Sequence, residues 1–277
     1  QEVIGREQGF RVDAEGFESE MARARQRSAG SKVGERAVDR VYIELASELS
    51  TEFLGYQQES ADSEVVALLR DGQRTDRLAA GESGEVVVAR TPFYAESGGQ
   101  VGDRGTMRSD KAVFEVTDTV KPHGDMIVHR GRVQSGAFTS DDCVALVVDG
   151  ALRSATRRNH SATHLLRRAL RMVVGEHAMQ KGSLVGPERL RFDYSAASPL
   201  TEEQIAAIER IVSESVLRND PVQSEVLPMS EAKQKGAIGL FEEKYGEVVR
   251  MVCMGESREL CGGTHVARTG DIGGFKI

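Results

Sequence analysis

The chain has 277 residues, a formal net charge of −7 and 39% hydrophobic residues. This hydrophobic content can build a core, so a disordered chain is not expected. The acidic balance argues against a protein that coats nucleic acid generally, although it leaves room for one local basic site. The sequence has no apolar run near eighteen residues and no basic-then-apolar N-terminus, so we expect neither a membrane span nor a signal peptide. The three cysteines cannot all pair and are not densely spaced, which favours a reducing, cytoplasmic compartment.

The N-terminal segment is predicted to be helical. Asp13 can cap a helix over residues 14–30, in which acidic residues come first and arginines later, as the helix dipole prefers. A second, shorter helix is predicted over residues 35–49. We therefore assign residues 1–52 to a helical segment.

Residues 53–150 have a different character, because short β-rich runs alternate with glycine-containing turn signals. The runs cover residues 65–70, 85–90, 112–120, 126–133 and 143–149. Many short strands with regular glycine punctuation are typical of a small β-barrel or sandwich.

Helical periodicity returns after Gly150, and residues 151–277 are predicted to mix helices and strands, which makes the chain α+β. The clearest helix follows Thr201, which can form a capping box with Gln204, and Pro221 closes it. Two strands with a short helix between them are predicted to follow.

Two pairs of residues suggest a metal site. His160 and His164 lie four residues apart on a predicted helix, so both side chains share one face and can bind one ion. Such a pair alone is equally compatible with two polar surface residues. Cys261 and His265, again four apart, follow in a glycine-rich turn and complete a set of donors that suits zinc. A lone cysteine is usually a small buried hydrophobe, but the adjacent glycines argue against regular buried structure here.

Two kinds of metal site remain compatible with this quartet. Four protein ligands close the coordination sphere, which is the structural pattern of zinc. A catalytic zinc usually has three protein ligands and an open position. The sequence leaves both open.

The predicted helix that carries the histidines is strongly basic. Six arginines and no carboxylate occur between Gly150 and Gly175. Runs of charge are most often solvated faces, but arginine also suits phosphate oxygens and can stack on bases. Beside a metal site, a phosphate-bearing substrate is favoured, and the patch is short enough for one end of a nucleic acid.

Several motifs resemble, in order and spacing, the editing domain of alanyl-tRNA synthetases. They are "RNHSATHLL", "QKGSLV", "RLRFDYS" and "ELCGGTHVARTGDIG". The stretch "TPFYAESGGQVGDRG" is similar to the glycine-rich motif of the β-barrel that precedes editing in that family. The N-terminal "GREQGFRVDAEGFESEMARARQRSA" is similar to the segment that joins tRNA recognition to editing. Free-standing editing proteins share the barrel and zinc parts but generally lack that segment.

The resemblance implies a small barrel followed by a two-layer α/β editing domain with one zinc ion. It implies hydrolysis of the ester in tRNA(Ala) wrongly charged with serine or glycine, and it places the zinc ligands on the quartet already selected. It places pocket residues at Thr163, Gln180, Ser183 and Asp193. Without this context, Thr163 would be interpreted as a helix-surface residue, and Gln180 and Ser183 as part of a loop.

The resemblance also implies partners, which are the acceptor end of tRNA(Ala) and the rest of a synthetase. The candidate tRNA contacts are Arg157, Arg158, Arg167, Arg171 and Lys181. The chain shows no class II catalytic motif, so ATP is expected to serve only a synthetase domain outside it. One alternative is a zinc-stapled tRNA acceptor-end binding module with little hydrolysis of its own. Another is a phosphate-ester metallohydrolase, which the lack of acidic metal ligands near either motif disfavours.

Overall fold

The computed structural model describes residues 13, 16, 19–21, 40–196, 198–239 and 246–277. Contacts divide the chain into two compact units, Gln1–Glu48 and Leu49–Ile277. In the first unit, residues 40–48 are helical, within the predicted second helix. The Asp13 carboxylate accepts a hydrogen bond from the Gly16 N–H at 2.8 Å, as the predicted N-cap requires. Most of the helix predicted over residues 14–30 lies outside the described residues.

The second unit begins with eleven strands. They are β1 (Glu52–Phe53), β2 (Ser60–Arg70), β3 (Gln73–Thr75), β4 (Arg77–Ala79), β5 (Ser83–Val88), β6 (Arg90–Thr91), β7 (Gly105–Arg108), β8 (Val113–His123), β9 (Met126–Ser135), β10 (Ala137–Thr139) and β11 (Cys143–Val148). Six of them close into an antiparallel barrel in the order β11-β7-β8-β9-β5-β2, because β2 pairs back onto β11. The predicted small β-barrel is thus confirmed.

The interior of the barrel is filled by apolar side chains that alternate with exposed residues along the strands. In β11, Val144, Leu146 and Val148 are buried while the residues between them are exposed. This period of two is expected for a strand that has one face in the core and the other in solvent. The five predicted β-rich runs correspond to β2, β5, β8, β9 and β11. The pattern missed β7, since its only fully buried side chain is Met107.

The rest of the unit mixes helices and strands. Its elements are α1 (Gly150–Val174), β12 (Gln180–Val185), β13 (Leu190–Tyr194), α2 (Glu202–Arg218), β14 (Val222–Pro228), α3 (Met229–Gln234), β15 (Val248–Met254), β16 (Ser257–Leu260) and a 3₁₀ turn (Thr269–Ile272). Strands β12 and β13 form a hairpin, and β14-β15-β16 form an antiparallel sheet. The predicted capping box of Thr201 and Gln204 starts α2. The predicted α+β class is confirmed, and no helix among the described residues is long and apolar enough to cross a membrane.

Helix α1 is buried on two sides. Leu165, Ala169 and Leu170 pack in one apolar core with residues of α2 and β15. Its N-terminal end is anchored to the barrel by Arg153, whose guanidinium pairs with Asp103 inside the protein. This double attachment fixes the helix that carries the two candidate histidine ligands.

Candidate metal centre and adjoining cavity

Two elements bring the four candidate ligands together. His160 and His164 lie one turn apart on α1, while Cys261 and His265 lie on the segment after β16, which we call the metal loop (residues 261–265). One donor atom from each residue lies within 4.8 Å of the other three. Cys261 Sγ is 3.5 Å from His160 Nε2 and 3.3 Å from His265 Nε2. The four side chains therefore converge on one point.

The Nδ1 atoms of the two helix histidines have partners of their own. Gln100 Oε1 lies 2.7 Å from His160 Nδ1, and Glu259 Oε2 lies 2.7 Å from His164 Nδ1. These oxygens only accept hydrogen bonds, so each Nδ1 carries a proton. In its neutral form each imidazole then offers Nε2 to the centre, as metal-binding histidines commonly do.

The chemistry of the quartet fits a metal ion. His164 Nε2 is buried, and it is the one buried side-chain nitrogen or oxygen among the described residues that has no hydrogen-bond partner. Because buried polar atoms nearly always have a partner, this nitrogen points to a ligand. Imidazole nitrogen and thiolate sulfur together suit a borderline-soft metal such as zinc.

Glu259 connects the quartet to a buried charge network. Its carboxylate accepts hydrogen bonds from His164, from Arg167 at 2.9 Å and from the Ser257 hydroxyl at 3.1 Å. Burial raises the pKa of Glu259, but the positive charges of His164 and Arg167 outweigh it and lower that pKa. Burial lowers the pKa of His164, whereas Glu259 and the Cys261 thiolate outweigh burial and raise it to about 10. The carboxylate therefore stays charged and holds the imidazole in place.

The pKa values of the two metal-loop ligands are also shifted towards the forms that bind a metal ion. Burial raises the pKa of the Cys261 thiol, but the charge of His160 and its hydrogen bond to the sulfur outweigh burial and hold that pKa well below its usual value. Burial is the main reason that the pKa of His265 falls to about 3. A thiolate and a neutral imidazole are the forms that bind metals.

A cavity of about 460 Å³ opens beside the quartet and brings three predicted pocket residues to it. Thr163 lies on α1 and donates its hydroxyl proton to the Asn159 carbonyl at 2.8 Å. Gln180 and Ser183 lie on strand β12, not in a loop. Asp193, on β13, is exposed and lies outside the lining of this cavity. The barrel also contributes to the wall, through the segment between β6 and β7.

The arginines of α1 are less available to a phosphate-bearing partner than the sequence indicates. Five of its six arginines pair with carboxylates supplied by other parts of the chain. The pairs are Arg153–Asp103, Arg157–Glu59, Arg167–Glu259, Arg168–Glu256 and Arg171–Glu176. Arg158 is exposed on α1 and Lys181 is exposed on β12, and neither forms an ion pair within the described part of the chain.

Gln100, Glu259 and Ser161 were missed by the sequence reasoning although they contact the ligands. Ser161 lies between the two histidines, with its hydroxyl 3.3 Å from His265 Nδ1. Glu259 stands two residues before Cys261, and its position in that motif is a signal that could have found it. Gln100 comes from the barrel, sixty residues before His160, and no local pattern connects the two.

The comparisons with known proteins agree with the motifs. The family model of class II (A) tRNA synthetases matches residues 1–152. The model described as the second additional domain of threonyl and alanyl tRNA synthetases matches residues 249–277. Alanine–tRNA ligase of Methylococcus capsulatus is 51% identical to this chain, over 99% of the chain and 31% of that protein. The alanine–tRNA ligase of Acidithiobacillus ferridurans is also 51% identical, over 99% of the chain and 32% of that protein. The chain spans about a third of the length of these relatives.

Proposed function

Because the chain belongs to the class II (A) tRNA synthetase family, we propose that it removes the wrong amino acid from mischarged tRNA. The proposed reaction is hydrolysis of the ester in tRNA(Ala) that carries serine or glycine. The observation that carries the proposal is the cavity in which Thr163, Gln180 and Ser183 lie beside the His/Cys quartet. The similar alanine–tRNA ligases support tRNA(Ala) as the tRNA.

The chemistry of the cavity suits a check on serine. A synthetase pocket that accepts alanine cannot exclude glycine by size, and it rejects the extra hydroxyl of serine poorly. A second pocket that pairs with this hydroxyl supplies the missing discrimination. The Thr163 hydroxyl donates its hydrogen bond to the Asn159 carbonyl. Its oxygen lone pairs therefore remain free to accept a hydrogen bond from the serine hydroxyl. Alanine offers no such donor.

We propose zinc as the metal, held by His160, His164, Cys261 and His265. A bound zinc ion supplies positive charge beside the cavity and fixes α1 against the metal loop. Gln180 and Ser183 on β12 line the same cavity and supply further polar groups for the substrate. In the hydrolysis, water adds to the ester carbonyl and the bond to the ribose oxygen breaks, which releases the amino acid and uncharged tRNA.

The proposed partner is the acceptor end of tRNA(Ala). Arg158 on α1 and Lys181 on β12 are exposed, and neither has a carboxylate partner among the described residues. Arg171 pairs with Glu176, whose side chain is 79% exposed, so a phosphate can replace that carboxylate at little cost.

All three cysteines are free, which supports a cytoplasmic location.

A second candidate function is a tRNA-binding module in which the metal is purely structural. It is favoured by the four protein side chains at the centre, because four ligands fill the tetrahedron of a structural zinc. Such a module would bind the acceptor end and hydrolyse the ester weakly.

A deacylation assay separates the two functions. The chain is incubated with Ser-tRNA(Ala) or Ala-tRNA(Ala), with and without a zinc chelator, and with zinc restored afterwards. Editing predicts that the seryl ester is lost faster than in buffer and faster than the alanyl ester, and that restored zinc recovers a rate lost to the chelator. Binding of tRNA with ester loss no faster than in buffer would establish the binding module instead.

A further inference from the structure

A side chain of the barrel reaches the metal centre. Gln100 is fully buried and lies in the segment between β6 and β7, which we call the glycine loop (residues 92–104). Its Oε1 accepts hydrogen bonds from His160 Nδ1–H at 2.7 Å and from the Thr264 N–H at 2.9 Å. Its Nε2 donates to the Thr264 hydroxyl at 2.9 Å. Because the Thr264 N–H can only donate, it fixes which end of the amide faces His160.

The glycine loop is itself held against the cavity. The Val185 N–H donates to the Gly99 carbonyl at 2.7 Å, and the Val101 N–H donates to the Val185 carbonyl at 3.0 Å. The loop therefore extends the β12–β13 hairpin, which carries Gln180 and Ser183. Gly99 has a φ of +91°, and a Cβ there would lie 2.5 Å from Ser183 Oγ. This close approach leaves the Gln100 side chain little freedom to move away from the ligands.

We infer that Gln100 is a positioning residue for the metal centre. It fixes the proton of His160 on Nδ1, so that Nε2 is the ligating atom, and it holds the metal loop between Cys261 and His265. One barrel side chain thereby aligns a ligand of α1 with the two ligands of the loop. The inference rests on the metal centre of the proposed function but not on hydrolysis.

Metal affinity of the whole chain tests this role, measured by competition between the protein and a chromophoric zinc chelator. Gln100→Met keeps the length of the side chain but removes the acceptor, and partners that orient metal ligands are typically worth about 10–100-fold in affinity. Gln100→Glu keeps an oxygen that accepts from His160 and Thr264, so it is expected to retain most of the affinity. The matched control is Gln134→Met, because Gln134 is an exposed glutamine on β9 of the same barrel. A Gln100→Met protein that binds zinc as tightly as the wild type overturns the inference.

A second measurement needs no variant and covers the case in which Gln100→Met does not fold. In wild-type protein loaded with ¹¹³Cd, nitrogen NMR is expected to show metal coupling to His160 Nε2 and a proton on His160 Nδ1. Coupling to Nδ1 would overturn the inference. If the wild-type protein binds no metal, there is no metal centre and the inference is overturned with it. Failed hydrolysis with normal metal binding affects only the proposed function.

Discussion

Histidines are buried both in the barrel and beside the cavity, but their surroundings differ. His129 lies in the barrel, where its Nε2 accepts from the Thr91 hydroxyl at 2.8 Å and its Nδ1–H donates to the Val86 carbonyl at 3.0 Å. Burial lowers the pKa of His129 to about 4, so it is a neutral residue with both ring nitrogens paired. His164 instead faces the charged Glu259, and its Nε2 has no hydrogen-bond partner.

This contrast separates two uses of buried polar groups. The barrel satisfies its histidine with neutral partners and surrounds it with an apolar core. The metal side keeps charges in the interior, and it aims donor atoms at one point. Burial of a histidine therefore does not indicate function; convergence of several donors with an unpaired atom does. The following variants test how firmly the two regions differ.

The largest expected effect is on metal binding. Cys261→Ala removes one of four donors, so zinc affinity is expected to fall by more than the roughly 100-fold that loss of an outer partner can cost. Elemental analysis of dialysed protein measures the bound metal. Cys253→Ala is the matched control, since Cys253 lies on β15 outside the quartet. Equal zinc in both variants would exclude Cys261 as a ligand.

The second-largest expected effect is on the free energy of unfolding, and it comes from the ion pair that is buried where the barrel meets α1. Arg153 is 1% exposed, and it binds Asp103 and the carbonyls of Gly55 and Pro92. Removing one partner of a buried ion pair typically costs about 3–5 kcal/mol, because the other charge stays buried and unpaired. Arg153→Met is expected to lose this much free energy of unfolding in a denaturant titration.

Arg70→Met is the control for that measurement. Arg70 pairs with Glu82 at 2.7 Å on the barrel surface, and such exposed pairs contribute little to stability because water screens them. A similar small loss for both variants would mean that the buried pair does not hold α1 to the barrel.

The sequence predicted the barrel and the quartet because both depend on short-range periodicity. Five strands showed β-rich runs between glycines, and each ligand pair has a spacing of four. Strands β12 and β13 were missed for different reasons. "QKGSLV" mixes a glycine and polar residues with only two apolar ones. "LRFDY" does alternate apolar and charged residues, but five residues are too short a run for this pattern to stand out.

Long-range pairing was beyond the sequence pattern. The basic helix has no carboxylate of its own, so its arginines looked free, yet acids from distant segments neutralise most of them. Gln100 reaches His160 only because the barrel folds against α1. Local periodicity carries no information about which distant side chains meet.

A smaller effect is expected from the pH dependence of stability. Burial lowers the pKa of His129 in the folded protein to about 4, whereas a histidine in the unfolded chain has its ordinary pKa of 6.5, so the unfolded chain takes up the proton first as the pH falls. The contribution of the neutral histidine is complete above about pH 6.5 and is lost as the pH falls towards 4, by up to about 3 kcal/mol. Denaturant titrations of the wild type and His129→Gln at pH 7.5 and 5 measure the difference. Parallel losses in the two proteins would show that His129 can be protonated without cost.

The smallest expected effect is on selectivity. Thr163→Val keeps the shape of the side chain but removes the oxygen that is proposed to accept from the serine hydroxyl. One hydrogen bond is typically worth about 1 kcal/mol, so the preference for the seryl over the alanyl ester is expected to fall by roughly five- to tenfold. Deacylation rates for the two esters measure it, and Thr156→Val is the control because Thr156 is buried on α1 outside the cavity lining. If Thr163→Val lowers the free energy of unfolding without changing the preference, its hydroxyl serves the helix alone, as Thr91 serves His129 in the barrel.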